Sequence, residues 1–256
     1  MGAENIGACP TKVSVVIATY NGEAYIRDQM TSILDQLREG DEVIVSDDGS
    51  ADATLDIAKS IGDDYSHIEI VFLSGPGMGT PSNFAHGLSA VTGDIVFFAD
   101  QDDVWLPGKR DDVCAAFANN PSMSLVTHDA FCEYPDGTRA PRSIFEDRNA
   151  RHGFVRNLAR STYFGCCMAA RSPFVKRLIP IIASTNAHDQ FISLVAEMEH
   201  ASFFLREPLL IHRLHGDNQS QKLSVVGMIG YRIRLCISIL KVATLNESAL
   251  PKLSGK

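Results

Sequence analysis

Apolar positions alternate between two rhythms along the first hundred residues. Lys12 to Tyr20 (KVSVVIATY) is a β-branched run of strand length, closed by Asn21-Gly22. From about Glu23 to Arg38 the period becomes helical, with Ile26, Met30, Ile33, Leu34 and Leu37 on one face and Gly40 as a stop. Glu42 to Ser46 (EVIVS) predicts a second strand that ends in Asp47-Asp48-Gly49-Ser50. A helix over about Asp52 to Ile61 follows, then a third strand, Ile68 to Leu73, a glycine-rich loop, a helix near Pro81 to Val91 and a fourth strand, Asp94 to Ala99. Such alternation predicts an α/β fold with a mostly parallel central sheet and helices on both faces. Sheets of that kind take ligands beyond the carboxyl ends of their strands. Site candidates are therefore the polar runs Thr19–Asn21, Asp47–Ser50, Gly75–Asn83 and Asp100–Asp103.

Beyond a helix expected at Pro107 to Asn119 the pattern loosens. Ser122 to Thr127 reads as a strand, Glu133 to Arg160 is polar and Arg-rich, and Phe191 to Met198 is helical. Leu209 to Asn218 reads as a strand running into a polar loop. Near the end, Val226, Ile229, Ile233, Cys236 and Leu240 form one helical stripe, with Arg232, Arg234 and Lys241 elsewhere. Most such stripes pack on their own domain. Arg232 and Arg234 interrupt the run Val225 to Val242 and argue against a bilayer span.

Composition narrows the classes. With 256 residues and 45% hydrophobic side chains, a sizeable core can form. The balance of 23 Lys+Arg against 31 Asp+Glu gives a charge of −8, which argues against affinity for nucleic-acid phosphates. Six cysteines without a CxxC pair suggest neither a disulfide scaffold nor a structural zinc site, so a reducing cytoplasm is expected. The opening MGAENIGACPTK lacks a basic region followed by an apolar run, and no secretory leader is expected.

The sharpest chemistry lies in FFADQDDVW. Asp100, Asp102 and Asp103 crowd the end of an apolar strand, where they repel one another unless something positive sits among them. Hard oxygen ligands select Mg²⁺ or Mn²⁺; a solvated turn capping the next helix is the plainer reading. Asp47 and Asp48 can accept from a nucleobase N–H, or form an Asx turn. Tyr20 can stack on a base. Gly75 to Thr80 fails the dinucleotide spacing, and no G-K-[ST] exists, so these glycines are expected to form a turn that lets Asn83 face the ligand. Asp189 is a helix cap or a general base. His215 is structural or a metal or diphosphate ligand, and Arg213 is a candidate diphosphate partner. Trp105 is expected to pack beneath the acidic loop.

Taken in order, SVVIATYNGEAYI, VIVSDDGSADAT, GDIVFFADQDDVWLPGK, HDQFISLVA and EPLLIHRLHGDN resemble the family 2 inverting glycosyltransferases, and most of all bacterial rhamnosyltransferase-type members. The resemblance implies a Rossmann-like nucleotide-diphospho-sugar transferase (GT-A) fold, with one domain over 1–222. A nucleotide-sugar half spans about 12–105 and an acceptor half about 106–222, followed by a C-terminal amphipathic helix and tail over 223–256. It further implies that Thr19, Tyr20 and Asp47 hold the nucleoside, with Asp48 nearby, and that Asp100 and Asp102 bind Mg²⁺ or Mn²⁺. Asp103 orients the sugar or braces the loop, Asp189 is the catalytic base, and Arg213 and His215 lie near the diphosphate. The sequence departs from the family's YRxH ending, whose Tyr is His212 here. Small residues in GCCMAA (165–170) suggest an acceptor-side floor or a plain buried strand.

The implied reaction moves a sugar, from dTDP-rhamnose or a UDP-sugar, to a glycan or lipid-linked glycan in surface polysaccharide synthesis. A non-catalytic nucleotide-sugar binding component is the alternative. A nucleotidyltransferase is disfavoured, because ATYNGEAY carries no basic, glycine-rich triphosphate loop. Peripheral membrane contact through the C-terminal helix is the second reading of its apolar stripe.

Overall fold

The computed structural model describes residues 11–215 and 225–249. Cys9, the loop residues Gly216 to Asn218 and the Val226 side chain lie outside the described residues.

The first half repeats one unit: β1 (Val13–Thr19), α1 (Ile26–Leu34), β2 (Glu42–Asp47), α2 (Thr54–Gly62), β3 (Glu69–Ser74), α3 (Thr80–Leu88) and β4 (Ile95–Asp100). These four strands pair in parallel in the order β3-β2-β1-β4. The β-branched and aromatic runs VVI, VIV and IVFF fill β1, β2 and β4 because those strands are buried, as parallel strands covered by helices must be. The order reverses beside β1, and the register puts Thr19 opposite Asp47 and Ala18 opposite Asp100. Three polar strand tips thus converge at the topological switch point.

The chain continues through β5 (Val104–Trp105), α4 (Lys109–Asn119), β6 (Leu125–Glu133), β7 (Arg139–Ser143), α5 (Ile144–Arg148) and α6 (Phe154–Ala159). It ends with β8 (Met168–Arg171), α7 (Ser172–Lys176), α8 (Ile179–Ile182), α9 (His188–Met198), β9 (Ser202–Arg213) and α10 (Val225–Ala249). Here the sheet becomes mixed. β8 runs antiparallel between β4 and β6, β9 lies parallel to β6, and short β5 caps β9 from the far side.

Several expectations shift. The helix expected from Glu23 starts at Ile26, because Gly22 O first accepts from Tyr25 N and Ile26 N. In GCCMAA, Gly165–Cys167 is a single 3-10 turn and only Met168 onward is strand. Contrary to expectation, the apolar stripe of α10 does not pack on its own domain. Ile229, Ile233 and Leu240 are exposed, together with Ile237, while Leu235, Ser238, Ile239 and Val242 face the protein. Tyr231 Oη, on the packed face, donates to Gln190 Oε1 of α9 at 2.6 Å. Trp105 packs as expected, 2% exposed and 5.1 Å from the Phe97 ring.

Candidate active site

At the tip of β1, Thr19 Oγ1 donates to Asp47 Oδ1 at 2.8 Å, and both residues are buried. Asp47 also accepts from Ser50 Oγ, Ser50 N and Gly49 N, so its carboxylate holds the DDGS turn in the manner of an Asx motif. Asp48 reaches across to Gly77 N and Gly79 N, both at 2.7 Å, and fixes the glycine loop; Gly77 and Gly79 adopt positive φ. Asn83 does not face the ligand as expected. It is 2% exposed, accepts from Ser46 Oγ at 2.6 Å and donates to Ser46 O at 2.8 Å, bracing the tip of β2. Tyr20 alone of this group stands out, with its ring 53% exposed.

Gln101, between the acidic residues, locks this tip to the next. Its Oε1 accepts from Tyr20 N at 2.8 Å and its Nε2 donates to Tyr20 O at 3.0 Å. The pairing requires glycine at position 22, where a Cβ would collide with the Gln101 amide.

The three aspartates have different surroundings. Asp103 is fully buried; its Oδ1 accepts from His212 Nδ1 at 2.8 Å and Arg213 N at 3.3 Å, and its Oδ2 has no partner among the described residues. It braces the loop. Burial alone would lower the His212 imidazolium, but the Asp103 hydrogen bond raises it to about 9. Asp102 Oδ2 meets His215 Nε2 at 2.8 Å, and the His215 ring stacks on Tyr25 with centroids 4.5 Å apart. Burial, then the Asp103 charge, raise the Asp102 carboxyl despite His215. The Asp100 carboxylate makes no hydrogen bond among the described residues. Burial and the charges of Asp103 and Asp102 hold its carboxyl well above the usual range.

Such a set fits a divalent cation. Asp100 and the second oxygen of Asp102 offer hard, unshared donors whose mutual repulsion a cation would remove, and His215 stands beside Asp102. The close grouping of three potential ligands among the described residues is Asp103, Cys166 and His212 around the same loop, and it does not include Asp100, Asp102 or His215.

Asp189 arrives from the other half. Ala187, not Asp189, precedes the first turn of α9, so the plain capping role fails; Asp189 Oδ1 instead accepts from its neighbour Gln190 N at 2.7 Å. The His188 ring beside it stacks on Phe84 at 4.2 Å, tying the helix start to α3. The turn Gly165–Cys167 separates Asp189 from β4. A Cβ at Gly165 would lie 3.0 Å from His188 Nε2 and 3.6 Å from Asp189 Cβ, so glycine permits that approach. The Asp189 charge is felt at Asp100, where it adds to the rise. Arg213 reaches outward, pairing with Asp28 at 2.8 Å and Glu133 at 3.8 Å.

Sequence reading missed the buried Lys109. Its ammonium donates to Cys166 O at 2.9 Å, lies 4.3 Å from the Trp105 ring centroid, and is drawn down to about 8 by burial. Gln29 was missed as well; it donates to Asp100 O at 2.5 Å. Neither carries a local signature, since Lys109 follows a turn and Gln29 sits within a helix.

The sheet and its strand order are those of the GT-A fold, and residues 14–179 match the Glycosyl transferase family 2 domain, to which the chain belongs. Among curated relatives, dTDP-rhamnosyl transferase RfbG of Shigella flexneri is 28% identical over 226 residues, covering 79% of this chain and 73% of RfbG. The chain spans 36% and 61% of the lengths of two other curated relatives. Among solved structures, S. aureus TarS 1-349 in complex with UDP-GlcNAc superposes with a TM-score of 0.68 at 19% identity, covering 92% of this chain and 70% of that one. The mannosyltransferase PcManGT from Pyrobaculum calidifontis, in complex with GDP-Man and Mn²⁺, gives 0.59 at 15% identity, covering 96% and 76%. No helix among the described residues is long and apolar enough to cross a membrane.

Proposed function

We propose that the chain is a metal-dependent inverting glycosyltransferase, transferring a sugar from a nucleoside diphosphate, dTDP-rhamnose before a UDP-sugar, to a glycan acceptor. A lipid-linked glycan of bacterial surface polysaccharide, met at the inner face of the membrane, is the acceptor this reading favours. One observation carries the reading: the turn Gly165–Cys167 packs against both β4, which ends in Asp100, and the start of α9, which carries Asp189 nearly ninety residues further on. A pure binder has no use for such a base. The likeness to RfbG supports the choice of donor.

Thr19, Tyr20 and Asp47 belong to the nucleoside end in this reading, with Asp48 shaping the loop beside them. Asp100 and Asp102, with His215, would hold Mg²⁺ or Mn²⁺, which when bound neutralises charge growing on the departing diphosphate. Asp189 Oδ1 is occupied by Gln190 N–H, leaving Oδ2 to take the acceptor hydroxyl proton. The deprotonating oxygen attacks the anomeric carbon opposite the diphosphate, and a single displacement inverts the configuration.

Incubation with dTDP-rhamnose or UDP-glucose and Mn²⁺, without acceptor, tests the reading. Slow release of nucleoside diphosphate that stops with EDTA is expected. Release of pyrophosphate, or donor affinity identical with Mn²⁺ and with EDTA, refutes it.

A further inference from the structure

A concavity of about 540 Å³ lies away from the acidic tip and is lined by Asp129, Phe131, Phe145, Glu146, Asn149 and Arg206 among others. That volume falls in the range of about 300–1,000 Å³ typical of small-molecule sites. We propose that this cavity binds a neutral sugar residue of the acceptor glycan, as a subsite distinct from the reaction centre. The proposal rests on the glycosyltransferase reading for its purpose, but the binding itself does not.

Asp129 is the first reason. It is 6% exposed, and its Oδ1 accepts from Ala130 N at 2.8 Å and Phe145 N at 2.9 Å, while Oδ2 has no partner among the described residues. A carboxylate oxygen left so in a cavity wall calls for a hydroxyl or water donor, because an unmade hydrogen bond there costs more than a made one contributes. The backbone is also bent to present it. The pairing of β6 with β9 slips on both sides of Asp129, between His128 and Asp129 and between Asp129 and Phe131. Bulges of this kind re-aim side chains and gather near binding sites.

The other walls define the ligand. Phe131 and Phe145 supply apolar faces for the C–H side of a pyranose ring. Glu146 accepts from Ser143 N through one oxygen only, and Arg206 donates to Ala150 O while its guanidinium lies 6.0 Å from the Phe145 ring centroid. Two carboxylates against one guanidinium repel an anion, whereas a neutral polyol can donate to the acids and accept from the arginine.

Position links the cavity to the reaction. Asp129 pairs with Pro208, while Cys132 and Glu133 pair with His212 and Arg213 further along the same strands. Three to four residues of strand place the cavity roughly 10–13 Å from the pair that braces Asp103. α5 stands between them: Phe145 and Glu146 line the cavity, while Arg148 of the same helix lies over Phe164, whose ring meets His212. A short oligosaccharide can bridge that span.

Saturation-transfer NMR of the full chain with methyl α-L-rhamnopyranoside and methyl α-D-glucopyranoside tests the proposal. Transfer to ring protons is expected, with binding about tenfold weaker in both Asp129→Asn and Arg206→Ala, the scale of one charge-assisted hydrogen bond. Arg206 is exposed, so its replacement reports even where Asp129→Asn fails to fold. No transfer from either glycoside, equal binding by wild type and Arg206→Ala, or preference for glucose 6-phosphate overturns it. Nucleoside diphosphate release from the same samples separates the two ideas. Release that persists without glycoside binding removes the subsite alone, and glycoside binding without release removes the transferase reading alone.

Discussion

Asp189 and Gly22 are single positions where chemistry and space leave little choice. Replacing Asp189 by Asn keeps the acceptor oxygen for Gln190 N–H and nearly the same shape, but removes the basic oxygen. Donor affinity by calorimetry should stay within a factor of about two, while transfer falls by about two to four orders of magnitude, the usual worth of a positioned base. Near-normal turnover would remove Asp189 from that role. Gly22→Ala acts differently, because the new methyl must displace the Gln101 amide from both backbone bonds to Tyr20. Stability should change by less than about 1 kcal/mol, since only the end of one flexible, half-buried side chain moves. Donor KM should rise severalfold, with little change in kcat at saturation. An unchanged KM would show that the latch between the strand tips has no bearing on the nucleotide. At this scale the sequence was partly legible. Residue types at strand ends marked Asp47, Asp100 and Asp102, but the pattern left open whether Asp47 closes its own turn and did not say that Asp48 crosses to the glycine loop or that Asn83 is buried. Those outcomes depend on which backbone N–H groups are left over once the turns close, and a linear pattern does not record that.

The elements succeed or fail as units, and their anchors lie opposite the site. Asp41 accepts from Val13 N and Arg38 N and forms a two-pronged pair with Arg110 of α4, at 2.6 and 3.0 Å, with both side chains almost fully buried. This one carboxylate joins the start of β1, the turn before β2 and the helix behind them. Arg110→Met leaves it charged and under-compensated, so urea denaturation should show a loss of about 3–5 kcal/mol. A loss below about 1 kcal/mol would mean that water reaches Asp41 easily. Glu42 adds a pH dependence. Burial tends to raise its carboxyl, but hydrogen bonds from Ser14 and Thr92, with Lys12 nearby, bring it below its ordinary 4.5. A depressed folded-state value means stability that is present above that range and lost as the pH falls through it. Glu42→Gln should therefore narrow the gap in melting temperature to wild type as the pH is lowered from 6 towards 3, and a constant gap would contradict the assignment. The three βα units and β4 around these anchors could be read from period alone, because β1, β2 and β4 are buried and α1 to α3 are amphipathic. β8 and the pairing of β5 with β9 could not be read: four- and two-residue strands have too few positions to show a period, and their partners are remote in sequence.

Over the whole molecule the unresolved quantity is the outer face of α10. The helix is apolar on two sides: Leu235, Ile239 and Val242 pack inward, while Ile229, Ile233, Ile237 and Leu240 are about half or more exposed in a line. Full burial of such a side chain is worth about 1.5–3 kcal/mol, so covering what remains exposed on the four would yield about 3–6 kcal/mol. That corresponds to binding in the millimolar to tens of micromolar range, reversible and far short of insertion. The net charge of −8 opposes approach to an anionic bilayer, but Arg234 and Lys241 lie exposed along the same helix and reverse the sign locally. Co-flotation with vesicles containing phosphatidylglycerol is therefore expected, weaker with phosphatidylcholine alone and reduced by salt, since a Debye length of about 10 Å at 0.1 M screens such contacts. Ile233→Glu should abolish flotation while leaving nucleoside diphosphate release intact, because position 233 lies on the exposed side of α10, away from its packed face. If the wild type and Ile233→Glu stay equally in the lower fraction, while sedimentation shows a dimer only for the wild type, the stripe is a contact between two copies and the membrane reading is lost.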